Sequence, residues 1–153
     1  VTRSFSKSHG LAGLRVGYAV AQADLIEGLN RVKDSFNSYP LDAVAQAAAT
    51  AAIEDRHWLE EASRSMRGVR EVMSTGLESI GFEVLPSQAN FIFTQHDTLA
   101  GRQIFDALRA RDILVRRWDK PRIENWLRIS VGEMTQAEQL LVVMREIVST
   151  GTG

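Results

Sequence analysis

Apolar and polar positions follow two different periods along this chain, and the changes of period divide it into elements. Residues Val16 to Ala21 are small and apolar after a glycine-rich stretch, which predicts a short buried strand. A helix is predicted from Asp24, a capping residue, to about Lys33. Asn37-Ser38-Tyr39-Pro40 breaks the pattern, because proline has no amide hydrogen and biases the residue before it away from helix. Beyond the break Asp42 can cap an alanine-rich run to Ile53. Leu59, Ala62, Met66, Val69, Met73, Leu77 and Ile80 then recur at spacings of three and four. Together these stretches predict one long amphipathic helix, kinked near Asp55 to His57 and ended by Gly81.

The pattern then changes. Phe82 to Leu85 and Asn90 to Thr94 read as strands around Pro86, Leu99 to Arg111 as a helix, and Ile113 to Trp118 as a strand. Leu127, Ile129 and Val131 alternate with Arg128 and Ser130, and a last helix is expected from about Thr135 to Val148. Strands and helices in this order predict a compact α+β unit, with a domain junction at residues 36 to 42. Val1 to Phe5 reads as the end of a strand that begins before it, and no targeting leader is visible.

Composition narrows the classes. A 153-residue chain with 44% hydrophobic and 24% charged residues is globular, neither disordered nor collagen-like. Eighteen Lys and Arg against nineteen Asp and Glu give a net charge of -1, which leaves no excess to neutralise a nucleic-acid backbone. The longest uncharged helical run, Ala43 to Ile53, is too short to cross a membrane. The absence of cysteine excludes disulfides, thiolate metal sites and cysteine nucleophiles, and it suits a reducing compartment, so cytoplasm is expected. His9, His57 and His96 share no ligand spacing and are expected to be surface or packing residues, with no metal site. Trp58, Trp118 and Trp126 are expected as core or interface anchors, and Glu54-Asp55 and Glu60-Glu61 as solvated helix faces.

Candidate chemistry concentrates in Ser4-Phe5-Ser6-Lys7-Ser8-His9-Gly10-Leu11-Ala12-Gly13-Leu14-Arg15-Val16-Gly17-Tyr18. Ser4 and Ser6 offer hydroxyl donors in a polar turn. Arg15 offers a forked guanidinium suited to phosphate oxygens, and Gly10, Gly13 and Gly17 allow close backbone approach. The result could be an anion cradle beside the Lys7 amine, which in such a site can form a Schiff base. The spacing matches neither a Walker loop nor a dinucleotide fingerprint. Elsewhere, if Leu127, Ile129 and Val131 face a core, Arg128 points to the opposite face, where it could hold a carboxylate or phosphate. Asn90 stands at a strand opening, where it can tie strand to loop.

Taken together, Ser4-x-Ser6-Lys7 followed by Gly10-Leu-Ala-Gly-Leu-Arg15-Val-Gly-Tyr18 resembles the lysine segment of the fold type I, class I/II aminotransferases. The segments Asp34 to Asp42, Ser87-Gln-Ala-Asn90-Phe-Ile92, Ile113-Leu-Val-Arg116 and Leu127-Arg128-Ile-Ser-Val-Gly132 are similar, in order and spacing, to those of the histidinol-phosphate aminotransferases. The resemblance covers essentially the whole chain, but only the later part of such an enzyme. It implies the C-terminal part of an α/β pyridoxal-phosphate transferase fold. In that division residues 1–35 are a remnant of the large cofactor-binding domain, 36–80 the connection and long interdomain helix, and 81–153 a small C-terminal α+β domain.

The same resemblance implies pyridoxal 5'-phosphate as cofactor, held covalently by Lys7 and gripped at its phosphate by Ser4, Ser6 and Arg15. Arg128 becomes the substrate-anion arginine and Arg116, which has Arg117 beside it, a second arginine for the substrate phosphate. Asn90 lies near the substrate. Glutamate and 2-oxoglutarate are implied as the donor pair and a phosphorylated imidazole ketone as acceptor, in a homodimer whose sites are completed across the interface. The fragment alone is expected to be inactive. A related decarboxylase of a phosphorylated amino acid, or a non-catalytic aminotransferase-like interaction domain, are the alternatives.

Overall fold

The computed structural model describes residues 1–151. Packing divides the chain between Ser63 and Arg64, inside a helix, whereas the sequence pattern placed a junction at residues 36 to 42.

In the first unit, strands β1 (Thr2–Ser4) and β2 (Gly17–Ala19) form an antiparallel ribbon with Thr2 opposite Ala19 and Ser4 opposite Gly17. The helix α1 (Phe5–Ser8) and a 3-10 turn at Ala12–Leu14 lie between them. Strand β2 is exposed rather than buried as expected, because its sheet holds only one other strand; Val16, just before it, carries the burial instead. Phe5 and Val16 pack with Ala45 and Ala49, which is why α3 (Ala43–Glu54) belongs to this unit. The apolar stripe of α2 (Ala23–Phe36), made of Leu25, Leu29, Val32 and Phe36, is exposed. That helix starts one residue before Asp24, which therefore sits in the first turn rather than at the cap, and it runs three residues past Lys33.

The expected long kinked helix is two helices. Asp42 caps α3 by accepting from the Ala45 amide at 2.7 Å, as its position predicts. At Asp55 the backbone leaves helical geometry (φ -80°, ψ 72°), and its carboxylate accepts from the Trp58 amide at 3.0 Å. One residue thus ends α3 and caps α4 (Arg56–Glu78).

The second unit contains the later part of α4, strands β3 (Phe82–Val84) and β4 (Phe91–His96), helix α5 (Gly101–Arg109), strands β5 (Arg116–Arg117) and β6 (Leu127–Ser130), and helix α6 (Met134–Gly151). The sheet is antiparallel throughout, in the order β3-β4-β6-β5. Period-two alternation buries Ile92, Thr94, Leu127 and Ile129 in a core with Val69, Met73 and Leu77 of α4, Ile104 and Leu108 of α5, and Leu140, Leu141, Met144 and Ile147 of α6. The buried polar side chains Thr94 and His96 are both hydrogen-bonded. The Thr94 hydroxyl donates to the Glu83 carbonyl at 2.7 Å. His96 Nδ1 accepts from the Thr98 and Leu99 amides, each at 3.2 Å, so Nε2 carries the hydrogen and donates to the Ile80 carbonyl at 3.1 Å. His96 is therefore a packing residue.

Strand β5 is shorter than the expected Ile113 to Trp118, and α5 shorter than Leu99 to Arg111. Asp112 adopts the left-handed conformation (φ 59°), and the Ile113 amide turns back to the Leu108 carbonyl at 3.0 Å. That turn closes the helix and delays strand pairing until Arg116. No helix among the described residues is long and apolar enough to cross a membrane.

Leu108 is fully buried and Val142 is half-exposed. Leu108→Ala is expected to cost about 2–5 kcal/mol in urea denaturation, and Val142→Ala to stay within about 0.5 kcal/mol of the parent.

Candidate active site

Lys7 is carried on α1, so the polar turn expected there is a single turn of helix. Ser4 caps it: its Oγ accepts from the Ser6 amide at 3.1 Å, while the Ser8 hydroxyl donates to the Ser4 carbonyl at 3.3 Å. The loop is tied at its base, where the Phe5 amide donates to the Val16 carbonyl at 3.1 Å and the Leu11 amide to the Phe5 carbonyl at 3.2 Å. The same end of the ribbon requires glycine at position 17, since a Cβ there would lie 2.8 Å from the Arg3 carbonyl oxygen.

Lys7 is exposed and lines an open cleft of about 430 Å³ with Arg3, Ser4, Tyr18 and Leu59. Arg15 takes the left-handed conformation (φ 56°, ψ 36°), which costs a non-glycine residue about 1–2 kcal/mol. One of its terminal nitrogens donates to the Ala12 carbonyl at 2.9 Å, which leaves the rest of the fork to face other groups. Ser4 and Lys7 thus line one cleft. Ser6 and Arg15 stand at the same end of the ribbon but do not line it. The donor set of amine, hydroxyls and guanidinium fits an aldehyde that carries a phosphate monoester. Trp58, expected as a core or interface anchor, lies outside the core: it is 45% exposed, with its ring stacked 6.3 Å from that of His9.

Of the other sequence-predicted residues, all in the second unit, Arg116 and Arg128 lie on the sheet face away from the helices. Cross-strand register sets the face of each. Arg116 lies opposite Arg128, and Arg128 opposite Phe93, so all three point one way. Arg117 lies opposite buried Leu127 and points into the core side, where its guanidinium is paired with Asp119. Register therefore separates two adjacent arginines that sequence alone could not. The Arg116 and Arg128 guanidinium carbons stand 5.2 and 5.8 Å from the Trp118 ring centre, and Arg128 stands 5.4 Å from the Phe91 ring. Phe93 meets Trp118 edge-on at 6.0 Å and stacks on Trp126 at 4.9 Å. Among the described residues neither Arg116 nor Arg128 is paired with a carboxylate.

Asn90 opens β4 beside this face, its carbonyl accepting from the Val131 amide at 2.9 Å. The loop before it is held by Arg70, which donates to the Ala89 carbonyl at 2.7 Å, and by Ser87, which donates to the Phe91 carbonyl at 2.6 Å. Trp118 was expected as an anchor, and its part beneath two arginines was missed. The signal was present, since Arg116 and Trp118 are two apart and two-apart residues of an extended segment share a face.

The sequence matches the family model for aminotransferases of class I and II over residues 1–145. The chain belongs to the class I and II aminotransferases. It is 52% identical to histidinol-phosphate aminotransferase 1 of Bradyrhizobium diazoefficiens over 97% of its own length and 42% of the relative's. It is 56% identical to the histidinol-phosphate aminotransferase of Gluconacetobacter diazotrophicus over 86% of its length and 37% of the relative's. Among solved structures, the histidinol-phosphate aminotransferase of Sinorhizobium meliloti in complex with pyridoxal-5'-phosphate superposes with a TM-score of 0.84 at 26% identity, over 97% of this chain and 40% of that one. The chain spans about two-fifths of the length of the relatives it matches, and its fold is that of part of a class I and II aminotransferase.

The hydrogen bond from Arg117, and then its charge, hold the Asp119 carboxyl below the ordinary carboxylate range. A folded-state value below the unfolded one contributes stability above about pH 4, which is lost as pH falls through the folded value. In a carbon-13 NMR titration Asp119 should therefore titrate below the ordinary carboxylate range. Arg117→Met should return it to the ordinary range.

Proposed function

We propose that this chain is the lysine-bearing, C-terminal part of a pyridoxal-phosphate-dependent histidinol-phosphate aminotransferase. The enzyme exchanges an amino group between glutamate and a phosphorylated imidazole ketone. The observation that carries the reading is the Arg116 and Arg128 pair, opposite in register and without a carboxylate partner, in a chain 52% identical to a histidinol-phosphate aminotransferase. A substrate that ends in phosphate needs such a place. In this reading residues 1–35 belong to the large domain, 36–80 to the connection and interdomain helix, and 81–153 to the small domain. The parent is a homodimer in the cytoplasm.

Pyridoxal phosphate, when bound, supplies an electron sink for the reacting α-carbon. Lys7 would hold its aldehyde group, and Ser4, Ser6 and Arg15 would hold its phosphate with hydroxyl and charge-assisted hydrogen bonds. Once free, the Lys7 amine would take the proton from the substrate's α-carbon, so one residue would serve as nucleophile and then as base. Arg128 fixes the substrate anion, Arg116 adds a second fork, and Asn90 borders the bound substrate.

Borohydride reduction of the full-length enzyme followed by peptide mapping should place the label on Lys7. Lys7→Ala should lower turnover by at least about a hundredfold. Arg15→Ala is expected to weaken cofactor retention, while Arg128→Ala should lower kcat/KM by about tenfold to a hundredfold with cofactor retained. The isolated 153-residue chain should show little or no turnover. Label on another lysine, or release of carbon dioxide in place of amino exchange, would overturn the reading.

A further inference from the structure

Two guanidiniums directly opposite each other on neighbouring strands repel, and such a pair is unfavourable unless something offsets it. Arg116 and Arg128 are placed in this way, and among the described residues no carboxylate is paired with either. What stands beside both is the ring of Trp118, 5.2 Å from one guanidinium carbon and 5.8 Å from the other. The ring's negative face attracts both cations and carries no net charge, so it holds them without neutralising them. A carboxylate in that position would hold the arginines equally well but would cancel the charge they offer to a ligand.

The Trp118 ring is itself held by the aromatic row across the sheet. Phe93, the residue opposite Arg128, meets it edge-on at 6.0 Å and rests on Trp126 at 4.9 Å. Phe91, one alternation along β4, lies 5.4 Å from the Arg128 guanidinium and gives it a second ring contact. Two uncancelled positive charges side by side match a doubly charged anion. A single carboxylate satisfies one fork and leaves the other facing its like.

We propose that Trp118 is a positioning residue for the substrate anion. Its ring keeps the Arg116 and Arg128 guanidiniums together and uncompensated, which makes a phosphate monoester dianion the better-held anion of that face. This rests on the functional reading above, in which these arginines face the substrate.

The test uses the full-length holoenzyme titrated with methyl phosphate and separately with acetate, neither of which has an amine to react. Methyl phosphate should bind at least about tenfold more tightly than acetate above pH 7, and its affinity should fall below about pH 6 as the dianion takes up a proton. Trp118→Leu should weaken methyl phosphate by about tenfold, and Trp118→Phe by no more than about threefold, because phenylalanine keeps a π face. Acetate should respond little to either change. Trp118→Phe also tests the proposal if the leucine variant does not fold: it should retain the phosphate affinity while losing the tryptophan emission change that accompanies binding in the parent.

Unchanged methyl phosphate affinity in Trp118→Leu, equal binding of acetate, or an emission change as large in Trp118→Phe as in the parent each overturns the proposal. Amino transfer with the label on Lys7, but phosphate binding indifferent to Trp118, defeats this proposal and leaves the functional reading standing. Trp118-dependent phosphate binding in an enzyme that transfers no amino group does the reverse.

Discussion

Strand β6 lies between β4 and β5, and its register against both decides the chemistry of the second unit. Ile129 opposite Ile92 puts two buried side chains on the helix-covered face, and Arg128 opposite Phe93 puts a cation on the other. A slip of one residue would exchange the faces, driving the Arg128 guanidinium into a core of Leu108, Met144 and Leu140 while exposing Leu127 and Ile129. An unpaired buried charge costs far more than the apolar contacts of one strand can return. The face that carries Arg116 and Arg128 is thus fixed by the burial requirement of the residues that alternate with them. The short β5 inherits its register from β6, which is how Arg116 joins Arg128 and Arg117 turns away to Asp119.

The first unit works by a different constraint. Its core is small, with Phe5, Val16, Ala45 and Ala49 as the buried members, so main-chain closure carries much of the definition of the Lys7 loop. The hydrogen bonds from Phe5 to Val16 and from Leu11 to Phe5 close it, and the bare α-carbon of Gly17 lets β2 approach the Arg3 carbonyl. Arg15 sits at the exit of the loop in a left-handed conformation that L-residues rarely adopt. This local closure fixes where Lys7 and Ser4 stand on the cleft.

Much of this was legible in the residues. The capping of α3 by Asp42, the alternation in β6 and the three- and four-residue spacing along α4 follow from local geometry, and each is found. Each departure from expectation has its own physical origin. Asp55 reads as a polar kink, but its carboxylate competes for the Trp58 amide and turns the kink into an end and a beginning. The strand predicted at Ile113 shrinks because the left-handed Asp112 sends the Ile113 amide back to Leu108. Strand β2 has a buried pattern, yet burial depends on what lies beside a strand, and here only β1 does.

By itself the sequence determined the periodic elements, the caps, the glycine-bounded lysine loop and the family, because these depend on neighbours a few residues away or on an ordered series of short motifs. Only the tertiary structure decided which of Arg116 and Arg117 shares a face with Arg128, and that Trp118 stands beside both arginines of that face. Those facts arise from pairing between strands brought together by a common core. Their sequence separation carries no trace of the register, since hydrogen bonding between strands is the same for every side chain and only the summed burial on one face selects the alignment.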